Sequence, residues 1–192
     1  MRKPVVFDIE TKHTFREFSD PAKLKVSMVC AYDYATDKEY SFREDELSGL
    51  FRLFEEASYV VGFNSNSFDL PVLQAYYPGD IMQFSRFDML EDVKKNLGRR
   101  LSLNDLASAT LGAKKSGNGL MAIDYYRKGK WDELQKYCMD DTILTKQLLD
   151  YGVEHGQIFY LSERGKSPIR MRWKRYMMEN ESAPDTHLAL PF

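Results

Sequence analysis

Residues 5–11 read VVFDIET. The apolar and β-branched side chains suit a buried strand, yet Asp8 and Glu10 interrupt the run. Residues two apart on a strand share a face, so the two carboxylates point the same way. Polar sequence follows at once, which sets the pair at the C-terminal end of the strand. In open α/β sheets, ligand sites collect at that edge. Two like charges side by side need a proton or a cation, and Mg²⁺ or Mn²⁺ prefers oxygen ligands of this kind. A solvated strand end is the alternative that an Asp-x-Glu pair alone leaves open.

The rest of the chain bounds the answer. Its 192 residues suffice for one domain with a sizeable core. The hydrophobic share of 43% and the charged share of 29% argue against disorder. A net charge of −2 excludes a uniformly basic nucleic-acid binder, so any such site must be a local patch or be made attractive by bound cations. Cys30 and Cys138 have neither metal-ligand spacing nor the makings of a disulfide framework, and a reducing, cytoplasmic setting is expected. The N-terminus is too short and too acidic for a signal peptide, and no run approaches the ~18 apolar residues of a membrane span.

Outward from residues 4–9, a strand, residues 11–24 read as a loop. Residues 25–34 and 38–43 read as an antiparallel hairpin, 44–57 as a helix buried through Leu47, Leu50, Phe51 and Phe54, and 59–64 as a second buried strand. A short helix is expected from Phe68 to Tyr77, with Pro71 tolerated in its first turn. A strand at 84–87 precedes a helix at 88–97. Ser102 opens a helix that stops at Gly112, the AKKSGNG loop covers 113–119, and the longest helix runs from about Trp131 to Tyr151. Residues 156–175 read as two strands turning at Arg164-Gly165-Lys166. The expected organisation is one domain over 1–178, with a basic C-terminal hairpin at 156–175 and a loose tail at 179–192. The fold class is α/β, a mixed central sheet with an antiparallel hairpin, flanked by helices.

Two further acidic sites stand out. In GFNSNSFDLPVL, 62–73, Asp69 lies at a helix start, where a carboxylate is favoured electrostatically or serves as a cap. In KYCMDD, 136–141, Tyr137 and Asp141 share one helical face. Each admits a structural reading: a helix cap for the first, a solvated acid beside a core aromatic for the second. Asp88, in RFDML, reads first as a cap for the following helix.

Taken together, FDIET, Asn64-Ser-Asn-Ser-Phe68-Asp69 and Tyr137-Cys-Met-Asp-Asp141 resemble, in order and rough spacing, the three motifs of the DEDD superfamily. These are the DnaQ-like 3′–5′ exonucleases on a ribonuclease-H-like fold, and the third motif is that of the tyrosine-type branch. The histidine-type motif is excluded by Lys136. The resemblance spans residue 5 to about 150, and the arrangement is that of the proofreading domains of family-B DNA polymerases and of related stand-alone nucleases. No polymerase or helicase segment is attached, so proofreading in cis is not expected.

The resemblance implies a ribonuclease-H-like fold and a phosphodiester hydrolase that releases 5′-mononucleotides from the 3′ end of DNA or RNA. Asp8, Glu10, Asp69 and Asp141 would hold two divalent cations, Mg²⁺ or Mn²⁺, roughly 3.5–4 Å apart. One would activate the attacking water and the other would stabilise the leaving 3′ oxygen. Tyr137, a phenol with a reference pKa of about 10, would orient the water rather than take its proton. Phe68 would pack on the terminal sugar or base, and Asn64 would bond the backbone near the 3′ end.

Basic residues should guide the strand. Candidates are Lys94, Lys95, Arg99 and Arg100, then Lys114 and Lys115, then six cations from 164 to 175 with no acid among them. Of these last, Arg170 and Arg172 are expected to touch phosphates, with Trp173 either a stacking platform or core. An inactive nucleic-acid-binding module and an endonuclease of the same fold are the alternatives. Nucleic acid is the expected partner, without a membrane, and the sequence leaves oligomeric state open.

Overall fold

The computed structural model describes residues 2–113 and 119–177. The AKKSGNG loop and the 179–192 tail therefore lie largely or wholly outside the described residues. β1 (Val5–Thr11) is the central strand of a five-stranded mixed sheet. On one side it pairs antiparallel with β2 (Val26–Asp33), which pairs antiparallel with β3 (Lys38–Phe42). On the other side it pairs parallel with β4 (Val60–Gly62), and β4 pairs parallel with β5 (Arg86–Asp88). The spatial order is β3-β2-β1-β4-β5.

The period of two in β1 divides the layers. Val5, Phe7 and Ile9 pack into a core with Leu47, Leu50, Phe51 and Phe54 of α1 (Leu47–Glu56) and with Leu70, Val72 and Leu73 of α2 (Asp69–Leu73). Val6 faces the opposite layer, as do Asp8 and Glu10 by alternation. That layer holds α3 (Met89–Leu97), α4 (Leu103–Leu111), α5 (Gly119–Arg127) and the 25-residue α6 (Trp131–His155). No helix of the described residues is long and apolar enough to cross a membrane.

The expected elements are present with altered limits. β1 extends through Thr11, carrying both acids inside the strand. The helix expected over 68–77 is only five residues long, and Tyr76 and Tyr77 lie beyond it. β4 stops at Gly62, where only glycine fits: a Cβ would lie 2.6 Å from Ser65 Cβ in the tight turn that follows. α5 had no separate expectation; its sequence, GLMAIDYYR, has no clean apolar stripe. The strand expected to run to 175 ends earlier: β6 (Gln157–Ser162) and β7 (Gly165–Arg170) form the hairpin, and Trp173–Met177 is a 3₁₀ turn.

This C-terminal unit is fastened to the main body. Thr110 on α4 bonds both the Phe159 N–H (2.9 Å) and its carbonyl (3.2 Å). Trp173 is 1% exposed and donates Nε1–H to Asp92 Oδ2 at 2.8 Å. It seats against Gly152 of α6, where a Cβ would come within 2.3 Å of its ring. Trp173 is thus core, and the stacking platform considered for it is ruled out: its ring faces Gly152 and Phe87, away from solvent.

Candidate active site

Three of the four motif acids meet. Carboxylate oxygens of Asp8, Glu10 and Asp141 lie within 4.8 Å of one another. Glu10 is 8% exposed and Asp141 2%, and Asp8 is half-buried. The meeting follows from how α6 crosses the sheet. The Cys138 thiol donates to the Asp8 carbonyl (3.4 Å), and the Cys30 thiol to the Gln135 carbonyl (3.6 Å). Thr142 Oγ lies 3.3 Å from the Cys30 carbonyl. Cys30 is the ladder partner of Asp8, so these contacts pin α6 over the pair. Asp141, three residues after Cys138, then falls over β1. Like charges at this spacing in a buried setting demand a proton or a cation, and an all-oxygen donor set fits a hard divalent ion.

Tyr137 lies one turn before Asp141 and is 4% exposed, packed with Met28, Cys30, Ala122, Leu134 and Cys138. Met28 is the ladder partner of Glu10, so the tyrosine flanks the acidic trio from the β2 side.

Asp69 is not one of the three acids whose oxygens all lie within 4.8 Å of one another. It begins α2, whose Leu70, Val72 and Leu73 pack in the layer opposite α6, and its carboxylate accepts the N–H of Ile9, the residue between the two strand acids. Burial pushes its pKa up to about 7. Its own backbone N–H and that of Ile9 oppose the rise, while nearby Asp88 adds to it. The Ile9 N–H points toward the β4 side because the Val5 N–H, four residues earlier on the same strand, bonds the carbonyl of Tyr59, just before β4. Since β4 ends at Gly62, Asp69 takes the place of a strand partner beyond it.

An open cleft of about 400 Å³ lies over the trio, a volume within the range of small-ligand sites. Its floor holds Asp8, Glu10 and Asp141, and its walls include Phe15, Phe68, Leu120 and Ile123. The Phe15 and Phe68 rings are 5.7 Å apart. Phe15, in the loop after β1, and the α5 residues Leu120 and Ile123 were not singled out from the sequence. Phe15, a large apolar residue in a polar stretch, was the one signal the sequence offered.

Asn64 and Asp88 do structural work beside the cleft. Asn64 has φ = 68°, and its side-chain oxygen accepts from Arg100 Nη2 at 2.5 Å. Asp88 caps α3 through the N–H groups of Leu90 (2.9 Å) and Glu91 (3.2 Å), and accepts those of Asn64 and Asn66, both at 3.0 Å. Burial raises its pKa and these donors oppose the rise. Arg170, at the end of β7, and Arg172, just beyond it, are exposed.

Sequence comparison places residues 5–153 within a family model of the RNase_H superfamily, and the chain belongs to that superfamily. Among curated proteins, none matches the chain in sequence. Among solved structures, a family B DNA polymerase from the archaeon Pyrobaculum calidifontis is similar over 80% of this chain and 25% of its own, with a TM-score of 0.61 and 20% identity. Trypanosoma brucei RNase D is similar over 78% of this chain and 57% of its own, with a TM-score of 0.58 and 16% identity. The chain thus spans about a quarter of the polymerase and 57% of the RNase D chain. These likenesses support the ribonuclease-H-like α/β fold seen in the sheet order.

Proposed function

We propose that the protein is a metal-dependent 3′–5′ exonuclease of the tyrosine-type DEDD branch, hydrolysing phosphodiester bonds at the 3′ end of DNA or RNA and releasing 5′-mononucleotides. The observation that carries this reading is the convergence of Asp8, Glu10 and Asp141 within 4.8 Å beneath an open cleft. Bound Mg²⁺ or Mn²⁺ supplies the charge that activates water and stabilises the phosphate and the leaving oxygen.

The side chains have separate tasks in this reading. Asp8, Glu10 and Asp141 hold the cations on a rigid mount, a central strand and a helix pinned to it. Asp69 is the fourth acid. Beside the Ile9 peptide it fixes the backbone between the two β1 ligands and adds negative charge for a second cation. Tyr137, one turn from Asp141, orients the attacking water by hydrogen bond. Phe68 and Phe15 flank the terminal sugar or base, and the apolar walls limit water around the phosphate. The fold neighbours leave the nucleic acid open, since one is by name a DNA polymerase and the other an RNase.

The test is incubation of 5′-labelled oligonucleotides, DNA and RNA, with Mg²⁺ or Mn²⁺. The reading expects a ladder of products that EDTA abolishes and that Asp8→Ala and Asp141→Ala lack. Cleavage unaffected by either substitution overturns it.

A further inference from the structure

The cations of this acidic chain sit in different settings. Lys12, Arg127, Lys128, Lys130, Lys136 and Lys146 are each bound to a carboxylate. By contrast, Lys94, Lys95, Arg99 and Arg100, at and beyond the end of α3, are exposed and form no ion pair among the described residues. The same holds for all six cations between 164 and 175.

These two groups form one surface. α3 packs against β7, and Asp92 of α3 holds the Trp173 indole. The Arg99 guanidinium lies 5.4 Å from the Tyr160 ring on β6. The acids that border the surface on α3 are engaged: Glu91 accepts from Asn66 Nδ2 at 2.7 Å, and Asp92 from Trp173. Alternation along 170–174 keeps Met171 and Trp173 buried and turns Arg170, Arg172 and Lys174 outward.

The surface also connects to the cleft. Arg100 is its nearest member, held by the Asn64 side chain. Asn64 is four residues from Phe68, which lines the cleft, so at most about 14 Å of chain separates the two. Other cations without an ion pair among the described residues, such as Lys23, Lys38 and Arg52, lie on separate elements. Ten exposed cations on two packed elements, linked to the acidic cleft through Arg100 and Asn64, make a surface suited to a polyanion.

We infer that the end of α3 and the C-terminal hairpin form a strand-anchoring surface, which holds the nucleic-acid backbone several nucleotides from the bond being cleaved. Asn64 acts here as the residue that positions Arg100. The inference rests on the nuclease reading for its substrate, but its test is independent of hydrolysis.

Binding is measured by fluorescence anisotropy in EDTA across a salt series, with single-stranded oligonucleotides of about 20 and about four nucleotides. The quadruple variant Arg164→Gln, Lys166→Gln, Arg172→Gln, Lys174→Gln should bind the longer strand about tenfold more weakly at moderate salt. Its log–log salt slope should be smaller by about 3, and its gain in affinity with length should shrink. Arg99→Gln with Arg100→Gln, on a different element, should act the same way with about half the change in slope. A control with Lys23→Gln, Lys38→Gln, Lys128→Gln and Lys130→Gln makes the same charge change elsewhere and should retain affinity. Equal losses in the control, or no loss in both surface variants, overturn the inference. Failure of hydrolysis with this binding pattern intact would count against the nuclease reading alone.

Discussion

The Cys138 thiol donates to the backbone carbonyl of Asp8, 130 residues away in sequence, at 3.4 Å. This contact sets the height of α6 over β1, and with it the distance from Asp141 to the two strand acids. Cys138 is fully buried, so Cys138→Leu must lift the helix. Overpacking of this kind costs about 1–3 kcal/mol. The variant should stay folded yet lose most of the stabilisation that divalent cations give the wild type, as read by thermal melts with and without Mn²⁺.

That stabilisation is itself a prediction. A cation that binds only the folded trio at about 100 times its Kd adds about 2.7 kcal/mol. For a chain of this length, this raises Tm by about 5–10 °C. Asp8→Asn, Glu10→Gln and Asp141→Asn should each lose the response.

Asp69 gives a pH signature. Its folded pKa is raised to about 7, chiefly by burial, from an ordinary value of 3.8. Between those values the folded state binds more protons than the unfolded state, so this group makes stability fall as pH rises from about 4 to about 7. Above that range the loss is complete. Asp69→Asn should therefore match the wild type in metal-free melts near pH 4 and exceed it near pH 8, while nuclease activity drops. A constant difference in Tm across that range would contradict the assignment.

Gly152→Ala tests how the C-terminal unit is held. The added methyl would meet the Trp173 ring at 2.3 Å, and both flank a packed helix. The expected loss is about 1–3 kcal/mol, or a Tm lower by about 3–10 °C, with increased proteolysis near the hairpin. Asp88→Ala should also be costly, because four N–H groups lose their acceptor. Asp88→Asn should be milder, since Oδ1 alone accepts three of the four.

Polar residues in apolar settings made much of this legible. Periods of two and 3.6 put Asp8 and Glu10 on one strand face and Asp141 beside an apolar helical face, but only the resemblance in motif order joined them as one site. The resemblance, not spacing, joined Asp69 to these acids: spacing locates it at a helix start but does not say on which face of the sheet that helix packs, nor that its carboxylate meets the Ile9 N–H. Trp173 shows the converse limit. Alternation with Met171 correctly marked it as inward, but alternation is also met by an extended link running into a 3₁₀ turn, so the backbone state was misread. α5, which walls the cleft through Leu120 and Ile123, has no clean apolar stripe in its sequence to reveal it.

The most direct measurement follows one oligonucleotide labelled in turn at each end. With Mg²⁺ or Mn²⁺, the 5′-labelled strand should shorten one nucleotide at a time, while the 3′-labelled strand releases its label at once as a 5′-mononucleotide. Asp141→Asn should do neither. Release of internal fragments first, or unchanged hydrolysis by Asp141→Asn, would contradict a 3′–5′ exonuclease built on Asp8, Glu10 and Asp141.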